Sequence, residues 1–127
     1  MNKKRIIINN QKVYKDRFFN ILEMINFKID YIFQSPKHAL SYLNDNLVDL
    51  VFINVIVTET NVMDLIKKIK IINPLCKIVF LNMNNDKNII SEELFNNVDG
   101  YYSNDHSDKE IKDDVVNSFF NLKKMIT

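Results

Sequence analysis

Short apolar runs and stripes at helical spacing take turns along this chain, with polar breaks between them. Arg5–Ile8 is a β-branched run stopped by Asn9-Asn10, as expected of a buried strand. Val13–Asn26 carries Tyr14, Phe18, Ile21, Leu22 and Ile25 at helical spacing. Lys28–Phe33 alternates at Ile29, Tyr31 and Phe33, with Ile32 out of phase, and predicts a second strand near a sheet edge. Ser35-Pro36 offers a capping hydroxyl followed by Pro at the first helical position, so a helix should run from Pro36 to about Asp45, burying Ala39, Leu40 and Leu43. Leu50–Ile53 is a wholly apolar strand broken by Asn54. Val62–Ile72 is helical, with Leu65, Ile66, Ile69 and Ile72 inward and Asn73-Pro74 as its stop. Lys77–Leu81 predicts a buried strand ending at Asn82, and Lys87–Asn97 a weaker helix. Asp99–Tyr102 is a short fifth strand, and Ser107–Ile126 a last helix facing in through Ile111, Val115, Phe119, Leu122 and Ile126.

Five strand–helix pairs at this spacing predict an α/β doubly wound parallel sheet of the flavodoxin-like kind, with strand order 2-1-3-4-5, in a single domain over 1–127. In such a sheet a ligand site lies at the carboxyl ends of the strands flanking the switch point.

Composition narrows the function. The chain has 127 residues, 46% of them hydrophobic, enough for a core. Its 17 basic and 16 acidic residues leave a net charge of +1, with no electrostatic footprint for nucleic acid or an anionic membrane. No apolar run reaches the roughly 18–20 residues of a membrane span. The basic-then-apolar start, Lys3-Lys4-Arg5-Ile6-Ile7-Ile8, is too short for a signal peptide, so a cytoplasmic location is expected. One Gly cannot write a phosphate-cradling loop, and the single Cys76 can form neither an internal disulfide nor a metal cluster. No cofactor is expected.

The predicted strand ends are asparagines throughout: Asn9 and Asn10, Asn54, Asn82, and Asn104 just past the fifth strand. Asp49–Asn54 resembles the strand of two-component receiver domains that ends in the phosphoacceptor aspartate. Asn73-Pro74 with Lys77–Leu81 resembles that family's fourth-strand region, and Asp99–Tyr102 its fifth strand. The spacing fits without gaps from Asp49 to Asn104, and the resemblance extends over about residues 3–126.

The resemblance implies a particular chemistry. An aspartate attacks the phosphorus of a kinase phosphohistidine. Mg²⁺, held by an acidic pair, bridges carboxylate and phosphoryl oxygens. A Ser or Thr and a Lys hold the phosphoryl group. By the same correspondence Asn9 and Asn10 stand at the metal-site positions, Asn54 at the phosphoacceptor, and Asn82 and Asn104 at the phosphate contacts. An amide oxygen is a poor nucleophile and a neutral, weaker metal ligand. No catalytic residue, phosphoryl transfer or useful Mg²⁺ affinity is expected. The asparagines themselves read either as drift in an Asn-rich chain or as amides that hold the pocket in one fixed state or bind a small polar ligand. The family's Pro-Gly pair after the nucleophile is Thr58-Glu59 here, so that loop should take another path.

Tyr101 stands at the family's switch aromatic, with Asn82 where the coupling hydroxyl would be; the simpler expectation is a half-buried strand aromatic. Phe18-Phe19 and Phe119-Phe120 cannot all face inward, so Phe19 and Phe120, with Val116, should be partly exposed. Val116 and Phe120 are the candidate interface, since the family's last helix commonly docks partners. His38 should lie on a helix surface, neither His38 nor His106 is expected to be a ligand, and Cys76 should fill space in the core. Lys67, Lys68 and Lys70 should be a solvated face.

The expected function is a phosphorylation-independent pseudo-receiver acting by protein contact. Its partner would be a histidine kinase or other signalling protein, or a second copy in a homodimer. Two alternatives remain: a receiver phosphorylated at a non-standard residue (Asp49, Asp64 and Asp99 are the nearby aspartates), or an unrelated flavodoxin-like ligand-binding protein.

Overall fold

The computed structural model describes residues 4–9, 17–54, 61–83 and 91–117. Strands and helices alternate: β1 (Arg5–Asn9), α1 (Arg17–Met24), β2 (Tyr31–Phe33), α2 (Pro36–Asp45), β3 (Leu50–Asn54), α3 (Val62–Ile72), β4 (Lys77–Asn82), α4 (Glu92–Asn97), β5 (Gly100–Ser103) and α5 (Asp108–Val116). All strand pairs are parallel, in the order β2-β1-β3-β4-β5. This is the doubly wound arrangement that the sequence pattern predicts.

The period-two alternation of a strand sends neighbouring side chains to opposite faces. Ile6, Ile8, Val51, Ile53, Ile78, Phe80 and Tyr101 therefore pack with residues of α2, α3 and α4. Ile7, Leu50, Phe52, Val79, Leu81 and Tyr102 pack with residues of α1 and α5. Phe18 of α1 anchors that second core, its ring 5.0 Å from Phe52 and 6.1 Å from Tyr102.

Among the described residues, four helices have a capping side chain at their start. Ser35 caps α2 with Pro36 next in line, Asn61 caps α3, and Ser91 caps α4. Ser107 and Glu110 form a reciprocal capping box on α5. After α1 the chain turns at Asn26, whose φ of 54° is the left-handed conformation that Asn tolerates better than most residues.

An aspartate sits one residue before β2, β3 and β5, and each clamps the neighbouring strand. Asp30 Oδ2 accepts from Arg5 N (2.8 Å), Asp49 Oδ2 from Lys4 N (2.7 Å) and Asp99 Oδ2 from Ile78 N (2.8 Å). The backbone N–H of each aspartate donates back, to Arg5, Lys4 and Ile78 carbonyls. These paired bonds satisfy main-chain groups at the amino end of the sheet and pin its register.

The expected boundaries need correction at the strand ends. Asn9, Asn54 and Asn82 are the last residues of their strands rather than breaks after them, because parallel pairing continues through them, Asn9 opposite Asn54 and Asn82 opposite Ser103. β2 is shorter than predicted, with Tyr31 and Ile32 about half exposed at the sheet edge. Leu40 and Ile72 are half-buried rather than core. The helical positions at 13–16, 87–90 and 118–126, Phe119 and Phe120 among them, lie outside the described residues, as does the loop at 55–60. Among the described residues no helix is long and apolar enough to cross a membrane.

Candidate functional site

β1 and β3 end side by side, so Asn9 and Asn54 meet at the carboxyl edge of the sheet. Both are buried. The Asn54 amide donates to Asn9 Oδ1 at 3.2 Å. By alternation along β1 and β3 this pair shares the face of Ile7 and Phe52, toward α1 and α5.

Asn82 belongs to the opposite face, with Phe80 and Tyr101. Its Nδ2 donates to the Tyr101 hydroxyl at 2.7 Å. Tyr101 is 2% exposed, so the expected half-buried aromatic is fully interior, held between Phe80, 6.2 Å away and stacked, and Phe95 of α4, 6.0 Å away. Burial raises its phenol above the ordinary value, and the Asn82 hydrogen bond pulls the other way. Asn82 and Tyr101, which the resemblance places at the family's coupled positions, are thus in direct contact.

Asn104 lies past β5 in an exposed turn. Its amide oxygen is 3.4 Å from Nη1 of Arg17 on α1. Arg17 also pairs with Asp108 at the start of α5 and donates to the His106 carbonyl. No linear signal marks Arg17, because Arg17 and Asn104 are 87 residues apart. His106 differs from His38. His38 is exposed, whereas His106 is 7% exposed and accepts at Nδ1 from the Ser103 N–H. Asn10 and Phe120 lie outside the described residues. Val116 is 66% exposed, as expected.

Among the described residues, the strand-end donor set does not suit a hard divalent cation. Mg²⁺ wants charged oxygens in near-octahedral array, whereas the residues facing one another here are two amides already hydrogen-bonded to each other. The alternative aspartates are elsewhere. Asp49 and Asp99 precede their strands at the amino end of the sheet and serve as register clamps. Asp64 is in the first turn of α3, paired with Lys68. A groove of about 640 Å³ runs between α2 and α3, lined by Ser35, Lys37, Ser41, Asn61, Asp64 and Lys68 among others, and is separate from Asn9, Asn54, Asn82 and Asn104.

The sequence matches no protein-family model and no curated protein sequence. Solved structures do match. The isolated receiver domain of RcsB from Salmonella enterica serovar Typhimurium superposes with a TM-score of 0.73 at 17% identity, over 98% of this chain and 97% of that one. The signal receiver domain of an HD domain-containing protein from Pseudomonas fluorescens Pf-5 gives 0.70 at 19%, over 91% and 85%. A CheY-like response regulator receiver domain from Methanospirillum hungatei JF-1 gives 0.67 at 14%, over 99% and 100%. The fold is the receiver fold of two-component response regulators, as the strand-end segments imply.

Proposed function

We propose that this chain is a pseudo-receiver, a receiver-fold signalling module that works without phosphorylation and acts through protein contacts. The observation that carries this reading is the buried Asn9–Asn54 amide pair. Two carboxylates at that separation would repel and would call for a cation or a shared proton. Two amides are complementary, donor to acceptor, with no charge to neutralise. A site built this way gives a phosphoryl group no nucleophile and Mg²⁺ no anionic ligand. The module is therefore not an enzyme, and its signal passes over its surfaces to a histidine kinase, another signalling protein or a second copy of itself.

The test is incubation of the full chain with acetyl phosphate and Mg²⁺, followed by intact mass, alongside calorimetric titration of Mg²⁺ alone. No mass gain and no saturable heat are expected. A gain of one phosphoryl group overturns the reading. If that gain maps to Asp49, Asp64 or Asp99, the atypical receiver replaces it.

A further inference from the structure

The turn joining β5 to α5 is closed by one residue. The His106 N–H donates to the Ser103 carbonyl at 3.1 Å, and the Ser103 N–H donates to His106 Nδ1 at 3.1 Å. Backbone and ring of His106 thus both grip Ser103, the last residue of β5. The His106 carbonyl in turn accepts from Arg17 Nη2, which ties the turn to α1. This arrangement requires a lone pair on Nδ1, hence a neutral ring with its proton on Nε2. An imidazolium has a proton on both nitrogens, and its Nδ1–H would then confront the Ser103 N–H. The bond would be lost and replaced by a donor–donor clash inside a buried site.

We propose that the β5–α5 turn is a proton-sensitive latch, shut while His106 is neutral and opened when Nδ1 takes a proton from solvent. The charged groups around the ring come from three elements. Asp105 in the turn and Glu110 and Asp114 on α5 favour the imidazolium, while Arg17 from α1 opposes it. Two of the carboxylates are already engaged, Glu110 by the Ser107 N–H and Asp114 by the Tyr102 hydroxyl, and Arg17 is paired with Asp108. Burial is the larger influence and holds the ring below its ordinary value, so the latch opens below about pH 6.5. Opening carries Asn104 and Asp105 with it and releases the Arg17 contacts that join α1 to this turn. The input would be a proton, and the inference stands whether or not the strand-end site accepts a phosphoryl group.

The experiment is ¹⁵N NMR of the full chain carrying His38→Gln, which leaves one histidine to titrate, from pH 8 down to the onset of acid unfolding. At pH 8 the ring should show the Nε2–H tautomer. The ring should titrate below 6.5, and the amides of residues 103–107 should shift with the same midpoint, Ser103 moving upfield as its hydrogen bond is lost. Adding His106→Asn, whose amide oxygen accepts without titrating, should abolish those shifts. An Nδ1–H tautomer at pH 8, or a ring titration that leaves the 103–107 amides still, overturns the proposal. These two readings need no His106 variant, so they decide even if His106→Asn does not fold.

Discussion

The Tyr102 hydroxyl donates to Asp114 Oδ2 at 2.8 Å across the packed interface of β5 and α5, both residues buried. Tyr102 follows Tyr101 in the strand, so it faces the opposite core and fastens the last helix to the sheet. Burial and the nearby Asp114 carboxylate push its phenol far above the ordinary range. Tyr102→Phe removes the donor and leaves a buried carboxylate with one partner fewer, a loss of roughly 1–3 kcal/mol. Urea unfolding should show a lowered midpoint at unchanged slope; equal midpoints would mean that the bond contributes nothing net.

Acidic residues placed at positions 9 and 54 should cost stability before they supply any chemistry. In the double variant Asn9→Asp, Asn54→Asp, two carboxylates face each other in a buried site. Unfolding at pH 7 without metal should be easier by about 3–5 kcal/mol, the scale of an uncompensated buried charge. Millimolar Mg²⁺ should recover part of that loss in the double variant and none in the parent. A double variant as stable as the parent without metal would show that charge is not what the amides avoid.

Cys76 is 1% exposed, and burial pushes its thiol up to about 12. Because the thiolate is the reactive form, the native protein should not react with Ellman's reagent at pH 8. One thiol per chain should appear only after denaturation. Prompt native reaction would mean that the start of β4 opens readily.

The α5 capping box should give an acid-sensitive contribution. Glu110 accepts from the Ser107 N–H, and that bond holds its carboxyl below the usual value. With the folded value depressed, the stability it lends is present above about pH 4.5 and is lost as pH falls through the folded value. Ser107→Ala should lower stability by about 0.5–2 kcal/mol at neutral pH. Glu110→Gln should flatten the acid limb of a stability–pH profile, and an unchanged limb would assign it to other carboxylates.

Val116 is exposed on α5. Val116→Glu should leave the far-ultraviolet spectrum intact and weaken self-association. Sedimentation velocity checks this, and identical profiles for variant and parent would remove Val116 from the candidate interface.

Legibility in the sequence followed the range of the forces involved. The bounds of α2 and α3 match the pattern because their starts are local: Ser35 with Pro36, and Asn61 ahead of an apolar stripe. The strand ends were placed a residue short because an asparagine after an apolar run reads as a turn. Here each continues a ladder whose partner strand is distant in sequence. Tyr101 was expected half-buried because its neighbours Phe80 and Phe95 come from elements that only the fold brings together. His106 carried no signal at all, since a polar residue before a helix cap is ordinary until its ring is seen facing Ser103.

The sequence by itself determined the alternation of strands and helices, most of the inward residues, and the asparagines at the strand ends. Period and residue chemistry are local, and they survive without coordinates. Only the tertiary structure decided which amides meet. Asn9 pairs with Asn54 across 45 residues because β1 and β3 are in register, and Asn82 turns instead to Tyr101 because alternation places it on the other face of the sheet. Asn104 stands outside both, beside an arginine from α1. Register, face and helix packing are set by the whole chain folding at once, so the apparent ring of five asparagines resolves, where the structure describes it, into a pair, a tyrosine contact and an exposed turn.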